Sequence, residues 1–106
     1  TIDSEKLLEM MGSMTDLVVI DARKDADYQT GWIEGAKHIQ NTDVTPETLA
    51  AAIPTKETPV AFYCNGPKCG RSSDAALKAI AAGYTKVYYF FGGMAEWSEA
   101  GLPTVK

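Results

Sequence analysis

Cys64 and Cys69 are the two side chains of this chain best suited to nucleophilic chemistry. The sequence Asn-Gly-Pro-Lys between them favours a turn over a buried core. The thiolate is the nucleophilic form of cysteine, yet an unperturbed thiol with a pKa of about 8.5 is only about 3% ionised at pH 7. Lys68 and Arg71 place positive charges beside the cysteines, and positive charge favours ionisation. We therefore predict a reactive thiol at Cys64. Cys69 is either a second reactive thiol or a spectator.

The residues on either side of this loop predict the elements that position it. Val60–Tyr63 is an apolar run typical of a buried strand. Ser72 or Ser73 is expected to cap the helix that follows, with Asp74 in its first turn. A strand, a glycine-containing loop and a helix N-terminus bring backbone N–H groups to one place. Such a pocket would stabilise a thiolate and bind an oxyanion.

Short strand patterns alternate with helical patterns along the whole chain. The predicted strands are residues 17–20, 37–39, 60–63 and 86–90, and the predicted helices are residues 5–11, 25–28, 45–53, 73–82 and 94–99. This alternation predicts an α/β fold, a parallel sheet covered by helices. We expect residues 1–106 to form a single domain.

Several polar or glycine residues are predicted to share one edge of that sheet. Ligands of parallel sheets bind at the carboxyl ends of the strands. Cys64 follows one strand, Asp21 and Arg23 close another, and Phe91 with Gly92 follows a third. We interpret Asp21 and Arg23 as an ion pair that orders the neighbouring loops.

Composition narrows the classes of function. The chain has 106 residues, of which 45% are hydrophobic and 23% charged, as in an ordinary globular domain. A net charge of -4 argues against binding to nucleic acid or to an anionic membrane. No apolar run approaches the roughly 18–20 residues of a membrane span. We expect a soluble protein, and both a cytoplasmic and a periplasmic location fit this composition.

The remaining reactive and aromatic side chains receive structural interpretations. His38 is the single histidine, and we predict a strand residue without a catalytic role. Two cysteines and one histidine fall short of the usual four-ligand zinc set, so we expect neither a metal nor an organic cofactor. Trp32 and Trp97 are predicted to be packing residues rather than a platform for substrate.

Four segments, taken in order, resemble the rhodanese family. They are Val18–Arg23 followed by Asp27-Tyr28, Gly31–Ala36, the Cys64 loop followed by Arg71-Ser72, and Gly92–Trp97 followed by Ala100–Pro103. Each segment is weakly informative alone, and the ordered set is specific.

The resemblance implies a single-domain sulfurtransferase with a five-stranded parallel sheet flanked by helices on both faces. Cys64 would take sulfane sulfur from a small anionic donor such as thiosulfate and become a persulfide. Cyanide, a small thiol or a protein thiol would then accept the sulfur. The same resemblance gives binding roles to the loop residues: the cations bind the donor and the amides cradle the outer sulfur. These residues are Arg71, Lys68, Asn65, Gly66 and Gly70.

The active-site loop is longer than the common one. Six residues separate Cys64 from Arg71, where the family usually has four. The loop resembles that of a rhodanese subgroup with the pattern CNGPxCxRS. A wider loop also suits polysulfide or a protein persulfide as donor. Cys69 could attack a Cys64 persulfide, which would leave a disulfide and release sulfide.

Two other classes of function remain as alternatives. A cysteine-dependent phosphatase or arsenate reductase also uses a thiolate in an amide-lined loop followed by arginine. The phosphatase pattern has five residues between cysteine and arginine, and no acid for the leaving group is evident. The second alternative is a non-catalytic rhodanese-like module that binds a partner or senses redox state through Cys64 and Cys69.

Overall fold

Four short strands form the central sheet of the computed structural model, which describes residues 1–106. They are β1 (Val18–Asp21), β3 (Lys37–His38), β4 (Val60–Tyr63) and β5 (Val87–Phe90). All four are parallel and lie in the order β3-β1-β4-β5. Asp21, Tyr63 and Phe90 stand side by side in register, so three strands end together at one edge of the sheet.

Five helices and a 3₁₀ turn connect and cover these strands. They are α1 (Ser4–Ser13), α2 (Asp25–Tyr28), the 3₁₀ turn Asn41–Asp43, α3 (Pro46–Ala52), α4 (Arg71–Ala81) and α5 (Gly93–Glu99). Side-chain caps explain where two of them begin. Asp3 accepts a hydrogen bond from the Lys6 amide, and Thr45 forms a reciprocal capping box with Thr48 ahead of Pro46.

The start of α4 differs from the prediction. The helix begins at Arg71, and its N-cap is Gly70, which has no side chain to cap it. The predicted caps have other positions: Ser72 is buried, and the Ser73 hydroxyl donates to the Gly70 carbonyl. Because the serines lie inside the first turn, the N-terminal amides of α4 stay free of a side-chain cap.

Alternating side chains along the strands build a core on each face of the sheet. On one face Ile20, Val60 and Phe62 pack with residues of α3 and α4. On the other face Val19, Ala61 and Tyr63 pack with residues that include Leu7 of α1 and Trp97 of α5. Strands that are buried on both faces need apolar residues at every position. This requirement explains the continuous apolar runs in the sequence. The prediction of helices on both faces is confirmed.

The predicted number of five strands is wrong, since the parallel sheet has four. A single parallel bridge joins Ile2 to Phe90 at the β5 edge, where the Ile2 amide donates to the Tyr89 carbonyl. This pairing stops after Ile2 because Asp3 already caps α1. Two further strands, β2 (Trp32–Ile33) and β6 (Thr104–Val105), pair with each other in antiparallel fashion outside the main sheet. None of the five helices combines the length and the hydrophobicity that a membrane span requires.

Candidate active site

Cys64 directly follows the central strand β4 at the edge where β1, β4 and β5 end together. Its side chain is buried, with only 1% of the residue exposed. Asp21 is the last residue of β1 and Arg23 lies two residues beyond it, while Phe91 directly follows β5. The structure therefore places the residues predicted for this edge at the ends of the two strands that flank β4.

The loop after Cys64 folds back on itself and joins the two cysteines. The Cys69 amide donates to the Gly66 carbonyl at 3.1 Å, which closes a turn with Pro67 at its second position. The sulfur atoms of Cys64 and Cys69 form a disulfide, with the two Cα atoms 6.2 Å apart. Neither cysteine is a free thiol in this structure.

The loop keeps a set of backbone N–H groups without partners in the protein. The N–H groups of Asn65, Gly66, Lys68 and Gly70 donate to no other group of the chain. The first turn of α4, residues 71–73, adds N–H groups that a helix cannot satisfy internally. Unpaired amides at a loop and a helix N-terminus favour negative charge. The region next to Cys64 is therefore suited to a thiolate or an anion.

The N-terminus of α5 holds the start of this loop in place. The Met94 amide donates to the Cys64 carbonyl, and the Ala95 amide donates to the Asn65 carbonyl, both at 2.8 Å. Gly93 precedes these donors with a φ of +59°, in the left-handed region that favours glycine. A Cβ atom at Gly93 would collide with the Cys64 carbonyl oxygen. Only glycine therefore lets α5 approach the cysteine loop this closely.

Gly93→Ala is expected to destabilise the protein by at least about 2 kcal/mol. A left-handed non-glycine residue alone costs roughly 1–2 kcal/mol, and the collision with rigid backbone adds to that. The free energy of unfolding in urea measures the change. Gly12→Ala is the matched control, because nothing lies within 4 Å of a Cβ atom there. Equal stability of the two variants would contradict the assigned role of Gly93.

A buried ion pair supports the same edge from β1. Arg23 donates through Nη2 at 2.7 Å and through Nε at 3.0 Å to the Asp21 carboxylate. The Tyr63 hydroxyl donates to Asp21 at 2.7 Å and accepts from the Ile33 amide at 3.1 Å. Arg23 also donates to the Gly31 carbonyl at 2.6 Å. The network ties β1, β4 and the segment before β2 together beneath the candidate site.

Protonation states in this network follow from burial and charge. Burial lowers the pKa of Arg23, but the hydrogen bonds and the charge of Asp21 outweigh burial and raise that pKa above its ordinary value. Burial, followed by the negative charge of Asp21, raises the pKa of Tyr63. Arg23 therefore stays charged, and the Tyr63 hydroxyl stays a donor at neutral pH.

Asn65 connects the cysteine loop to this network. Its side-chain amide donates to the Asp27 carboxylate at 3.1 Å, and its carbonyl oxygen lies 3.5 Å from the Arg23 guanidinium. The predicted binding residue Asn65 is thus also a positional link between the loop, β1 and α2.

The predicted cations lie in different surroundings. Lys68 is exposed and forms no ion pair. Together with Asn65, Gly66, Pro67 and Cys69 it lines an open depression of about 520 Å³. Arg71 and Gly70 do not line this depression.

Arg71 is held by a cluster of side chains from α4 and the 3₁₀ turn. Its guanidinium donates to the Asn41 side chain at 3.0 Å, and Asn41 in turn donates to Asp74 at 2.9 Å. Lys78 lies 3.1 Å from Asp74. The Asn41 hydrogen bond and then Lys78 lower the pKa of Asp74, so Asp74 is negatively charged at neutral pH and offsets one of the two positive charges of Arg71 and Lys78.

Comparison with known proteins identifies the family. The rhodanese-like domain family matches residues 3–100. The chain belongs to the rhodanese-like family. The resemblance of the four ordered segments is therefore confirmed at the level of the family.

Two curated relatives share about a third of their aligned residues with this rhodanese-like domain. A sulfurtransferase of Allochromatium vinosum is 31% identical over 98% of this chain and 92% of its own length. A tRNA uridine(34) hydroxylase of Teredinibacter turnerae is 32% identical over 79% of this chain. The alignment covers only 26% of the hydroxylase, so the likeness concerns one part of that protein.

Solved structures agree on the fold. The solution structure of the rhodanese-like domain from the Anabaena protein Alr3790 has a TM-score of 0.85 and covers 99% of this chain and 77% of that one. Sequence identity is 24%, so this likeness concerns the fold.

Three residues of the rhodanese-like site were absent from the sequence predictions. The sequence predicts only an apolar strand for Tyr63 and a motif position for Gly93, and it predicts no role for Asn41. The doubled glycine after β5 was a usable signal for a close backbone approach. Asn41 gave no signal, because its contact with Arg71 spans 30 residues of sequence.

The aromatic residues near this edge contact one another. Tyr28 stacks on Trp32 with ring centroids 4.4 Å apart and on His38 at 4.1 Å. The His38 ring nitrogen Nε2 lies 2.7 Å from the Arg23 carbonyl oxygen. Trp97 is buried and donates to the Pro103 carbonyl. These contacts give both tryptophans packing roles and give His38 a hydrogen bond with backbone.

Proposed function

We propose that this rhodanese-like domain is a sulfurtransferase that moves sulfane sulfur through a persulfide on Cys64. The observation that carries the proposal is the position of Cys64 between a central strand and a loop of unpaired amides. Its relative in Allochromatium vinosum, named a sulfurtransferase, supports the same class of reaction.

The reaction begins with the thiolate form of Cys64, so the disulfide must first be reduced. The Cys64 thiolate attacks the outer sulfur of thiosulfate, the S–S bond of the donor breaks, and sulfite leaves with the bonding electron pair. Polysulfide or a protein persulfide reacts in the same way with a different leaving group. An acceptor, either cyanide or a thiolate, then attacks the outer sulfur and regenerates the Cys64 thiolate. No metal or organic cofactor takes part in these steps.

The free amides of the loop supply the stabilisation that this chemistry needs. A persulfide anion on Cys64 and an arriving anionic donor both carry negative charge into a largely buried place. N–H groups fixed by the fold stabilise such charge without further rearrangement. Asn65, Gly66 and Gly70 contribute amides of this kind. Lys68 on the depression and Arg71 on α4 add positive charge.

Mass spectrometry tests the proposal directly. The reduced Cys69→Ser variant, in which no second thiol can consume a Cys64 persulfide, is freed of reductant and incubated separately with thiosulfate and with polysulfide, and the intact mass is measured. Trypsin cleaves after Lys56 and after Lys68 and therefore releases Cys64 in a peptide of its own, residues 57–68. We expect one added sulfur atom on the Cys64 peptide, and we expect cyanide to remove it. No adduct with either donor would overturn the proposal and direct attention to phosphate and arsenate substrates.

Arg71→Ala is expected to weaken the use of thiosulfate. A hydrogen bond to a charged group contributes about 1.5–3 kcal/mol, which corresponds to a loss of about 10- to 100-fold in kcat/KM. We expect most of the loss in KM, because the same anion is bound before and during the reaction. Steady-state kinetics with cyanide as acceptor measures both constants.

Lys86→Ala is the matched control for Arg71→Ala. It removes the same charge from an exposed residue just before β5, at the opposite edge of the sheet. An equal rise in KM for both variants would show that net charge alone guides the donor, which contradicts a specific role for Arg71.

A further inference from the structure

We propose that Cys69 is a resolving thiol, which makes this domain a dithiol-dependent reductase of sulfane sulfur as well as a transferase. Cys69 attacks the Cys64 persulfide, releases sulfide and closes the Cys64–Cys69 disulfide. An external dithiol then reopens the disulfide. The inference rests on the proposed Cys64 persulfide and adds a second fate for its sulfur.

The local backbone brings the two sulfur atoms together. The Gly66–Cys69 turn, with Pro67 at its second position, reverses the chain within the loop. The Cα atoms of the two cysteines are 6.2 Å apart, inside the range of about 4.4–6.8 Å that disulfides require. The Gly66–Cys69 turn therefore returns Cys69 to Cys64.

The two cysteines differ in exposure, and this difference determines which sulfur of the disulfide an incoming thiolate attacks. Cys64 is 1% exposed, whereas Cys69 is half-buried and lines the open depression. An incoming thiolate therefore reaches the sulfur of Cys69. Attack there expels Cys64 as the leaving thiolate, next to the unpaired amides of the loop. Reduction thus returns the nucleophile for the next cycle.

The atoms and electrons of the cycle balance. In the persulfide, the thiolate of Cys69 attacks the inner sulfur of Cys64, the bond to the outer sulfur breaks, and the outer sulfur leaves as hydrosulfide with the electron pair. The disulfide formed is reduced by a dithiol, which becomes a cyclic disulfide. With thiosulfate as donor, the sum is thiosulfate plus dithiol giving sulfite, sulfide and oxidised dithiol. The dithiol supplies the two electrons that reduce sulfane sulfur to sulfide.

A single-turnover experiment without acceptor tests the resolving step. The reduced protein is freed of reductant under anaerobic conditions and given one equivalent of thiosulfate. For the unmodified chain we expect one sulfide released per chain and a final mass two hydrogen atoms below the reduced form. Cys69→Ser and Cys69→Ala are expected to stop at the persulfide, with sulfide release lowered at least about tenfold.

The outcomes separate this inference from the proposed function. If the Cys69→Ser variant carries no added sulfur, the Cys64 persulfide does not form. Both the proposed function and this inference are then overturned. If the unmodified chain and Cys69→Ser hold the same stable persulfide and release no sulfide, only the resolving role is overturned. A disulfide that forms equally fast without thiosulfate would also overturn it, because closure would then be simple oxidation.

A trapping experiment tests which cysteine of the disulfide the reductant attacks. The oxidised protein is treated with glutathione, the mixed disulfide is captured at low pH, and tryptic peptides are mapped. We expect glutathione on the peptide that begins at Cys69, after the cleavage at Lys68. Glutathione chiefly on the Cys64 peptide would contradict the assignment of Cys69 as the accessible sulfur.

Discussion

Cys64→Ser is expected to abolish sulfur transfer and to leave the folded structure intact. Serine has nearly the shape of cysteine, so the buried position after β4 can accept it. Its hydroxyl does not ionise at neutral pH and forms no persulfide. We expect kcat/KM for thiosulfate and cyanide to fall by on the order of a thousand-fold or more.

The comparison is made under reducing conditions, because the variant cannot form the Cys64–Cys69 disulfide. Thermal unfolding of both proteins in reductant shows whether the fold is equally stable. Cys64→Ala repeats the test without a hydroxyl group. If both variants retain sulfur transfer, the nucleophile is a residue other than Cys64 and the mechanism is refuted.

The sequence was sufficient for the parallel sheet because the strands are buried on both faces. Val60–Tyr63 can satisfy two apolar faces only with an unbroken apolar run, and such a run is visible without a structure. The caps at Asp3 and Thr45 are likewise local interactions, each between residues three positions apart. Local chemistry therefore predicted these elements.

The predictions of a fifth strand and of a serine cap on α4 were wrong. Both features depend on contacts between distant residues or on backbone groups without partners. The fifth strand came from the family resemblance, whereas in this chain the pairing beside β5 is limited to Ile2 by the start of α1. Serine near a helix start suggested a cap, but α4 begins earlier and has Gly70 there. A missing side-chain cap has no sequence signal of its own, and it is the feature that leaves the amides free.

The sequence was sufficient to predict most residues of the candidate site, but not the hydrogen bonds that hold them in position. Cys64, Lys68 and Arg71 lie within eight residues of one another, and their residue types are those that nucleophilic chemistry and anion binding require. Tyr63 looks like a strand residue, yet its hydroxyl joins Asp21 to the Ile33 amide across 42 and 30 residues. Such contacts depend on the sheet register, which sequence patterns alone do not provide.

Arg23→Ala is expected to destabilise the protein by about 3–5 kcal/mol, the usual cost of removing one partner of a buried ion pair. Asp21 is fully buried, and the variant would leave its carboxylate with only the Tyr63 hydroxyl and the Arg23 backbone amide as donors. The Gly31 carbonyl would also lose its partner. We expect the melting temperature to fall by more than about 10 °C.

A double-mutant cycle separates the ion pair from other effects of truncation. Asp21→Ala with Arg23→Ala is expected to cost less than the sum of the single variants by about 2 kcal/mol, because no unpaired charge stays buried. Lys6→Ala is the control for an exposed pair: Lys6 lies 3.4 Å from Glu9, with both side chains more than half exposed. We expect a change below about 1 kcal/mol there. Additive costs at Asp21 and Arg23 would show that the pair contributes only packing. The loop would then depend on Asn65 and α5 rather than on the charges beneath it.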